Sequence, residues 1–139
     1  MRVTRRYRFV ASHRLHAAAL SEEENRELYG KCSNPYGHGH DYVLDVTAEG
    51  PVDAASGQVV HIPTLDRLVS ETVLKDLDHR YLNAEIDEFK KLVPTSENII
   101  RVIEDRLTAG WREAFPGKWP WLEGIRLRET KRNAFELKS

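Results

Sequence analysis

Residues 38–49 read HGHDYVLDVTAE and alternate between apolar and polar side chains. The apolar side chains share one face of an extended chain: Tyr42, Leu44, Val46 and Ala48. The polar side chains share the opposite face: Asp41, Asp45, Thr47 and Glu49. This period of two is typical of a strand with one buried and one exposed face. The stretch therefore predicts a sheet that is covered on one side.

Two other parts of the chain have the same alternation. Residues Val3–Leu15 predict a first strand, with Thr4, Arg6 and Arg8 on its polar face. The apolar face of that strand carries Tyr7, Phe9, Ala11 and His13. Residues 124–138 predict two more strands, joined by a turn near Lys131–Asn133.

The middle of the chain has helical periodicity. Residues 64–77 place apolar side chains at helical spacing, after the turn-rich 50–58 and a short extended piece, VVHI, at 59–62. A second helix follows Pro94, with Thr95 or Ser96 as its cap and Gly110 near its end. Its apolar stripe is Ile99, Ile100, Ile103, Leu107 and Trp111.

The order strand, strand, helix, helix, strand, strand predicts an α+β fold. In this fold, an antiparallel four-stranded sheet carries both helices on one face. We find no internal repeat or linker, so residues 1–139 are expected to form a single domain.

The composition argues against several classes of protein. Lys and Arg number 21 against 22 Asp and Glu, which gives a net charge of -1 and no basic excess for a nucleic-acid partner. No apolar run approaches the roughly 20 residues of a membrane span, and MRVTRRYRFV lacks the apolar core of a signal peptide. The single cysteine suits a reducing compartment. We therefore expect a cytoplasmic protein without membrane or nucleic-acid partners.

Three histidines lie at the predicted strand ends. His38 and His40 are two residues apart and project from the same face, and His13 continues the apolar face of the first strand. If the two strands pair, the three imidazoles meet at one end of the sheet. Three histidine nitrogens with an open position are typical of a catalytic zinc site. The alternative is that they are hydrogen-bonded core residues that bind nothing.

Cys32 precedes this pair in KCSNPYGHGHDY (31–42), within a polar loop. A single cysteine is commonly an inert, buried small hydrophobe. A nearby cation would lower the pKa of this thiol and make it available as a base, a nucleophile or a fourth zinc ligand. The residues alone do not choose among these roles.

Asp78 with His79, and Glu129 near the end of the chain, carry groups that can transfer a proton or bind a ligand. Asp78 and His79 in LKDLDHRYLN (74–83) form either a proton relay or a helix end at which histidine is favoured by the dipole. Glu129 continues the apolar row of Ile125 and Leu127, where a buried carboxylate needs a partner or a ligand. Its two oxygens fit a flat ligand with adjacent N–H donors, such as a 2-amino-4-oxo pyrimidine edge. Alternatively, the strand frays near Thr130.

Five segments, in this order, resemble the 6-pyruvoyltetrahydropterin synthase family, which includes the 6-carboxytetrahydropterin synthases of queuosine biosynthesis. They cover nearly the whole chain: FVASHRL, GKCSNPYGHGHDY, LDHRYLN, VPTSENI and RET. The resemblance implies the tunnelling fold, in which four-stranded sheets form a trimeric barrel and two trimers stack into a hexamer. It also implies active sites between subunits.

The resemblance further implies a role for each matching residue. His13, His38 and His40 would hold a catalytic Zn²⁺. Cys32 would be the base that removes a proton, assisted by Asp78 and His79. The pterin pocket would be formed by Glu129, which anchors the ring, and by Thr95, Ser96 and Glu97.

The reaction implied is the conversion of 7,8-dihydroneopterin triphosphate to 6-pyruvoyltetrahydropterin, a step of tetrahydrobiopterin biosynthesis. The spacing of Cys32 and His38, with NPYGHGHDY, favours this pyruvoyl branch, whereas LDHRYLN resembles the carboxy branch. His61 stands where the carboxy branch commonly has Asp. A non-catalytic pterin- or zinc-binding protein on the same fold is a third hypothesis. Lys31, Arg14 and Arg132 are candidate cations for the triphosphate.

Overall fold

The computed structural model describes residues Met1–Ser139 and contains one sheet and five α-helices. The strands are β1 (Arg2–His13), β2 (His38–Glu49), β3 (Arg80–Tyr81), β4 (Trp121–Arg128) and β5 (Ala134–Lys138). The helices are α1 (Glu22–Tyr29), α2 (Ile62–Val69), α3 (Lys75–Leu77), α4 (Leu82–Glu85) and α5 (Ser96–Ala114).

The sheet has the strand order β3-β1-β2-β4-β5. All neighbours are antiparallel except β3, which runs parallel to β1 and pairs with Ala11 and Ser12. The predicted α+β class is confirmed, but the predicted sheet of four antiparallel strands is wrong, because the sheet has five strands and is mixed. A strand of two residues is too short to show a period of two, so the sequence pattern could not reveal β3.

The predicted apolar face of the sheet is buried and forms one core with the helices. Phe9 of β1 stacks on Tyr42 of β2, with ring centroids 4.9 Å apart. Leu44, Val46 and Leu127 are fully buried in the same cluster as Leu65 and the α5 stripe. On the opposite face Arg6 and Arg8 are exposed, and Arg6 forms an ion pair with Asp45, whose side chain is only 13% exposed. Burial of one face therefore determines which side chains each strand turns inward.

The connection between β1 and β2 differs from the prediction. β1 ends at His13 rather than Leu15, and α1 follows, a helix that the sequence analysis missed. Ser21 caps α1, and Glu24 completes a capping box with it. The S-x-x-E spacing was the signal for this helix, but the segment has almost no apolar periodicity.

Asn25 of α1 ties this connection together. Its side chain is fully buried and forms four hydrogen bonds with backbone groups of residues 17–21. The amide oxygen accepts from Ala17 N at 2.7 Å, and the amide nitrogen donates to three carbonyls. Asn25 thus fixes the loop that leads from the end of β1 toward Cys32.

The helical segments match the prediction in part. The chain is helical from Ile62 to Leu77 through a π turn at Ser70–Leu74, so VVHI forms no strand and its last residue begins α2. Thr95 caps α5 as predicted, but Gly110 lies inside α5 rather than at its end. A Cβ at Gly110 would lie only 2.8 Å from Leu68 Cδ1, so the glycine permits close packing of α5 on α2. None of the helices combines the length and the apolar composition needed to cross a membrane.

Replacing Asn25 by Ala should lower the free energy of unfolding by about 2–3 kcal/mol, because it leaves buried backbone groups without partners. Chemical denaturation measured by circular dichroism tests this. Asn133→Ala is the matched control, since the Asn133 side chain is exposed and makes no hydrogen bond. Equal effects of the two substitutions would contradict the role given to Asn25.

Candidate metal centre and active site

Pairing of β1 with β2 brings the three predicted histidines together. His13 lies directly opposite His38, and Ala11 lies opposite His40. The ring centroid of His40 lies 4.9 Å from that of His13 and 4.7 Å from that of His38. The three rings therefore meet at one end of the sheet, and their role as metal ligands stays a prediction.

The orientation of His13 leaves one ring nitrogen free for a ligand. The side chain is fully buried, and Nδ1 lies 2.9 Å from the carbonyl oxygen of Pro94. Because a carbonyl only accepts, Nδ1 carries the proton and Nε2 presents its lone pair toward His40. Burial lowers the pKa of His13, which favours the neutral imidazole that metal ligation requires.

Cys32 lies in a 3₁₀ turn, Gly30–Ser33, whose position is fixed by a hydrogen bond from Leu15 N to Cys32 O of 2.6 Å. One ligand atom from each of His13, Cys32 and His40 lies within 4.8 Å of the other two. This trio contains Cys32 and not the predicted His38, whose side chain is exposed. Burial and the negative charge of Glu129 raise the pKa of the Cys32 thiol. The lowering of this pKa by a nearby cation stays a prediction.

The donor atoms fit a zinc ion. The Nε2 atoms of His13 and His40 are 3.2 Å apart. Two nitrogens bound at about 2.0–2.1 Å in a tetrahedron are about 3.3 Å apart, so little movement is needed. Imidazole nitrogen with an adjacent thiol is a donor set that suits Zn²⁺. The arrangement therefore fits the metal that the histidine spacing predicts.

Glu129 lies beside the same donors. It follows the last residue of β4 and is held in place by its N–H, which donates to Asn133 O at 3.2 Å, so the end of the strand does not fray away. One carboxylate oxygen lies 3.8 Å from His40 Nε2, and the other accepts a hydrogen bond from the Ser96 hydroxyl. The Glu129 side chain is only 15% exposed, so a carboxylate faces the metal donors from a sheltered position.

The first turn of α5 contributes unequally to this region. Ser96 is buried against Glu129, whereas the Thr95 side chain accepts a hydrogen bond from Asn98 N as the helix cap. Glu97 points to solvent. Of the three predicted pocket residues in this turn, only Ser96 contacts the group of Glu129 and the histidines directly.

Asp78 and His79 do not join Cys32 within this chain. Asp78 Oδ1 accepts from Val10 N at 2.9 Å and lies 3.0 Å from His79 Nδ1. Val10 is three residues from His13, about 10 Å along β1, and its side chain lies on the face opposite the core. The His79 side chain is 78% exposed. Asp78 and His79 therefore contact each other at the outer edge of the sheet, and their role as a proton relay stays a prediction.

Two contacts of the site escaped the sequence analysis. The Pro94 carbonyl that orients His13 is a backbone group, and any residue at that position supplies one. Tyr42 was assigned only to the apolar face, yet its hydroxyl lies 3.5 Å from His13 Nδ1. A tyrosine two residues after His40 was the available signal, because it shares the face of that histidine.

Comparison with known proteins gives consistent matches over nearly the whole chain. The family model described as 6-pyruvoyl tetrahydropterin synthase matches residues 2–139. The 6-pyruvoyl tetrahydrobiopterin synthase of Poecilia reticulata is 40% identical over 131 residues, 94% of this chain and 85% of that protein. The Homo sapiens protein of the same name is 44% identical over 105 residues, 76% of this chain and 72% of that protein. The solved structure of Caenorhabditis elegans 6-pyruvoyl tetrahydropterin synthase has a TM-score of 0.87 at 36% identity, covering 100% of this chain and 95% of that one.

Gly37 generates a prediction about the loop that leads into the metal centre. Its φ is +80°, and a Cβ there would lie 3.0 Å from Tyr81 Cε1 and 3.2 Å from His13 O. Gly37→Ala should therefore lower both the free energy of unfolding and the affinity for Zn²⁺, because it displaces His38 from His13. Gly57→Ala is the control, since the φ of Gly57 is also positive, at +73°, and no atom lies within 4 Å of a Cβ added there. The control should show only the backbone cost of about 1–2 kcal/mol and bind zinc normally; equal zinc affinities in the two variants would contradict the account.

Proposed function

Because the chain belongs to the 6-pyruvoyl tetrahydropterin synthase family, we propose that it is a zinc-dependent lyase. Its substrate is 7,8-dihydroneopterin triphosphate, and its products are 6-pyruvoyltetrahydropterin and triphosphate. The observation that carries the proposal is the convergence of His13, Cys32 and His40 within 4.8 Å, beside the sheltered carboxylate of Glu129. A free thiol at the centre of the site suits the reducing cytoplasm, where we place the enzyme.

In this proposal His13, His38 and His40 hold the zinc, and Cys32 stays unligated as the base. The inclusion of His38 is supported by its ring, which lies exposed with its centroid 4.7 Å from that of His40. When bound, Zn²⁺ supplies Lewis acidity toward the side-chain oxygens of the substrate and a positive charge that favours the Cys32 thiolate.

Glu129 recognises the pterin. Its carboxylate oxygens accept from the adjacent ring and amino N–H groups of the substrate, and the Ser96 hydroxyl orients it. Thr95 fixes the start of α5, on which Ser96 is placed, and Glu97 lies at the outer side of the same turn. The distance of 3.8 Å from a Glu129 oxygen to His40 Nε2 supports a pterin ring that binds beside the metal donors.

Cys32 performs the proton transfer. The thiolate removes a proton from a side-chain carbon of the substrate, and the electron pair left behind is redistributed as the C–O bond to triphosphate breaks. Triphosphate leaves with the electrons of that bond, and tautomerisation gives the tetrahydropterin and the diketone side chain. The oxidation of the side chain balances the reduction of the ring, so no nicotinamide or other redox partner is needed.

Asp78 and His79 act on a neighbouring subunit in this proposal. The pair lies at the outer edge of its own sheet, about 10 Å along β1 from His13, so it is poorly placed for Cys32 of the same chain. The resemblance implies a barrel of three subunits and a hexamer of two such barrels, with sites between subunits. The exposed edge position of the pair is consistent with such an arrangement.

The proposed function predicts which product the protein forms. Zinc-loaded protein and 7,8-dihydroneopterin triphosphate, incubated without oxygen, should give the mass of 6-pyruvoyltetrahydropterin with one equivalent of triphosphate.

Cys32→Ala should lose about 10²–10⁴-fold in kcat, the usual contribution of a positioned base, and retain zinc and pterin binding. A carboxytetrahydropterin product with acetaldehyde would assign the protein to queuosine biosynthesis. Unchanged substrate, with zinc and pterin bound, would indicate a binding protein.

An active site shared between subunits, with Cys32 from one chain and His79 from another, can be tested by mixing variants. Cys32→Ala and His79→Ala should each be nearly inactive alone, because each removes one part of every site. Hybrid oligomers formed from both variants, after joint unfolding and refolding, should regain activity, up to about a quarter of the wild-type level for random mixing. The recovery arises because some sites combine an intact Cys32 with an intact His79. If mixing restores no activity while refolded wild type is active, the pair acts within its own chain.

A further inference from the structure

A pocket of about 360 Å³ lies beside the metal centre and has taken no part in the mechanism so far. It is formed by the segment after β1, the region of β3 and α4, and the loop that leads into α5. Its polar lining consists of Arg14, His16, Tyr81, Asn83, Lys90 and Lys91.

The charge of this pocket is positive. No aspartate or glutamate lines it, whereas Arg14, Lys90 and Lys91 do. Arg14 and Lys91 form no ion pair, and the partner of Lys90 is Asp87, whose side chain is 90% exposed. Arg14 and Lys91 therefore carry positive charge without an acidic partner, and an anion in the pocket would offset that charge.

His16 offers a polar atom that the protein itself does not satisfy. Its Nδ1 is buried and has no hydrogen-bond partner. The His16 side chain also lines the pocket, beside the three cations, so the pocket offers an imidazole in addition to their positive charge. An anion with several oxygens is the ligand that best matches three cations in one pocket.

The pocket is coupled to the metal centre through two contacts. Arg14 follows His13 directly in the chain, and its Nε donates to the carbonyl of Ser33, the neighbour of Cys32, at 3.2 Å. Pro94 lines the pocket, and its carbonyl oxygen accepts from His13 Nδ1. Two residues that line the pocket, Arg14 and Pro94, therefore contact the cysteine turn and His13 directly.

We propose that this pocket, with Arg14, His16, Lys90 and Lys91, binds the phosphate chain of an oligophosphate ester. This inference rests on the proposed function, because it assigns the pocket to the triphosphate of the substrate. Of the cations expected from the sequence to serve the triphosphate, Arg14 lies in the pocket, whereas Lys31 and Arg132 do not. Lys90 and Lys91 had no sequence signal, since two lysines in a loop resemble any solvated pair.

The test uses zinc-loaded, full-length protein and inorganic triphosphate as the probe. Isothermal titration calorimetry should show that Lys91→Gln weakens binding about fivefold to tenfold, and Lys90→Gln/Lys91→Gln weakens it further. His16→Ala should also weaken binding. Lys75→Gln is the matched control, because it removes the same charge from an exposed lysine outside the pocket and should leave binding unchanged.

Steady-state kinetics test whether the pocket binds the triphosphate of the substrate. The KM for 7,8-dihydroneopterin triphosphate should rise in Lys91→Gln by about the same factor as the calorimetric dissociation constant, with kcat little changed. Unchanged triphosphate binding in Lys91→Gln would overturn the proposal, and so would weakened binding with an unchanged KM. If wild-type protein makes no product, the proposed function fails, and calorimetry alone then decides whether the pocket is an oligophosphate site.

Discussion

The register between β1 and β2 determines both the packing of the core and the position of the candidate site. The two strands pair without interruption from Arg2 opposite Glu49 to His13 opposite His38. A slip of one residue would turn every apolar side chain of one strand to the solvent, so burial of Phe9, Tyr42 and their neighbours specifies the register strongly. The same register places the histidines together at the strand ends. The hydrophobic core thereby determines the geometry of the candidate metal centre.

The start of α5 supports the site from the other side. Pro94, just before the cap, orients His13 through its carbonyl, and Ser96, just after the cap, hydrogen-bonds Glu129. Both contacts depend on where α5 begins, which Thr95 determines as the N-cap. The remainder of α5 is held by its buried stripe, so packing far from the site keeps these two contacts in position. Supporting interactions of this kind keep ligands oriented before a metal binds.

Features with a regular period could be predicted from the sequence, and features that depend on a few contacts could not. The apolar faces of β1 and β2 and the cap of α5 follow from local patterns, and the structure confirms them. The polar helix α1 was missed because a capping box was its only strong signal, and β3 because two residues carry no period. The same distinction applies to the residues of the candidate site. Strand periodicity predicted the meeting of the histidines, but not that Cys32, placed by a 3₁₀ turn, joins His13 and His40 in a trio of donor atoms within 4.8 Å of one another.

We propose that β1 and β2 supply three histidine nitrogens to one zinc ion and leave the thiol of Cys32 free. X-ray absorption at the zinc edge is the decisive test, because it distinguishes nitrogen from sulfur ligands by distance. Zinc-loaded wild-type protein should show nitrogen and oxygen scatterers at about 2.0–2.1 Å and no sulfur shell. A sulfur scatterer at about 2.3 Å, lost in Cys32→Ala, would show that the cysteine is a ligand and contradict its role as the free base.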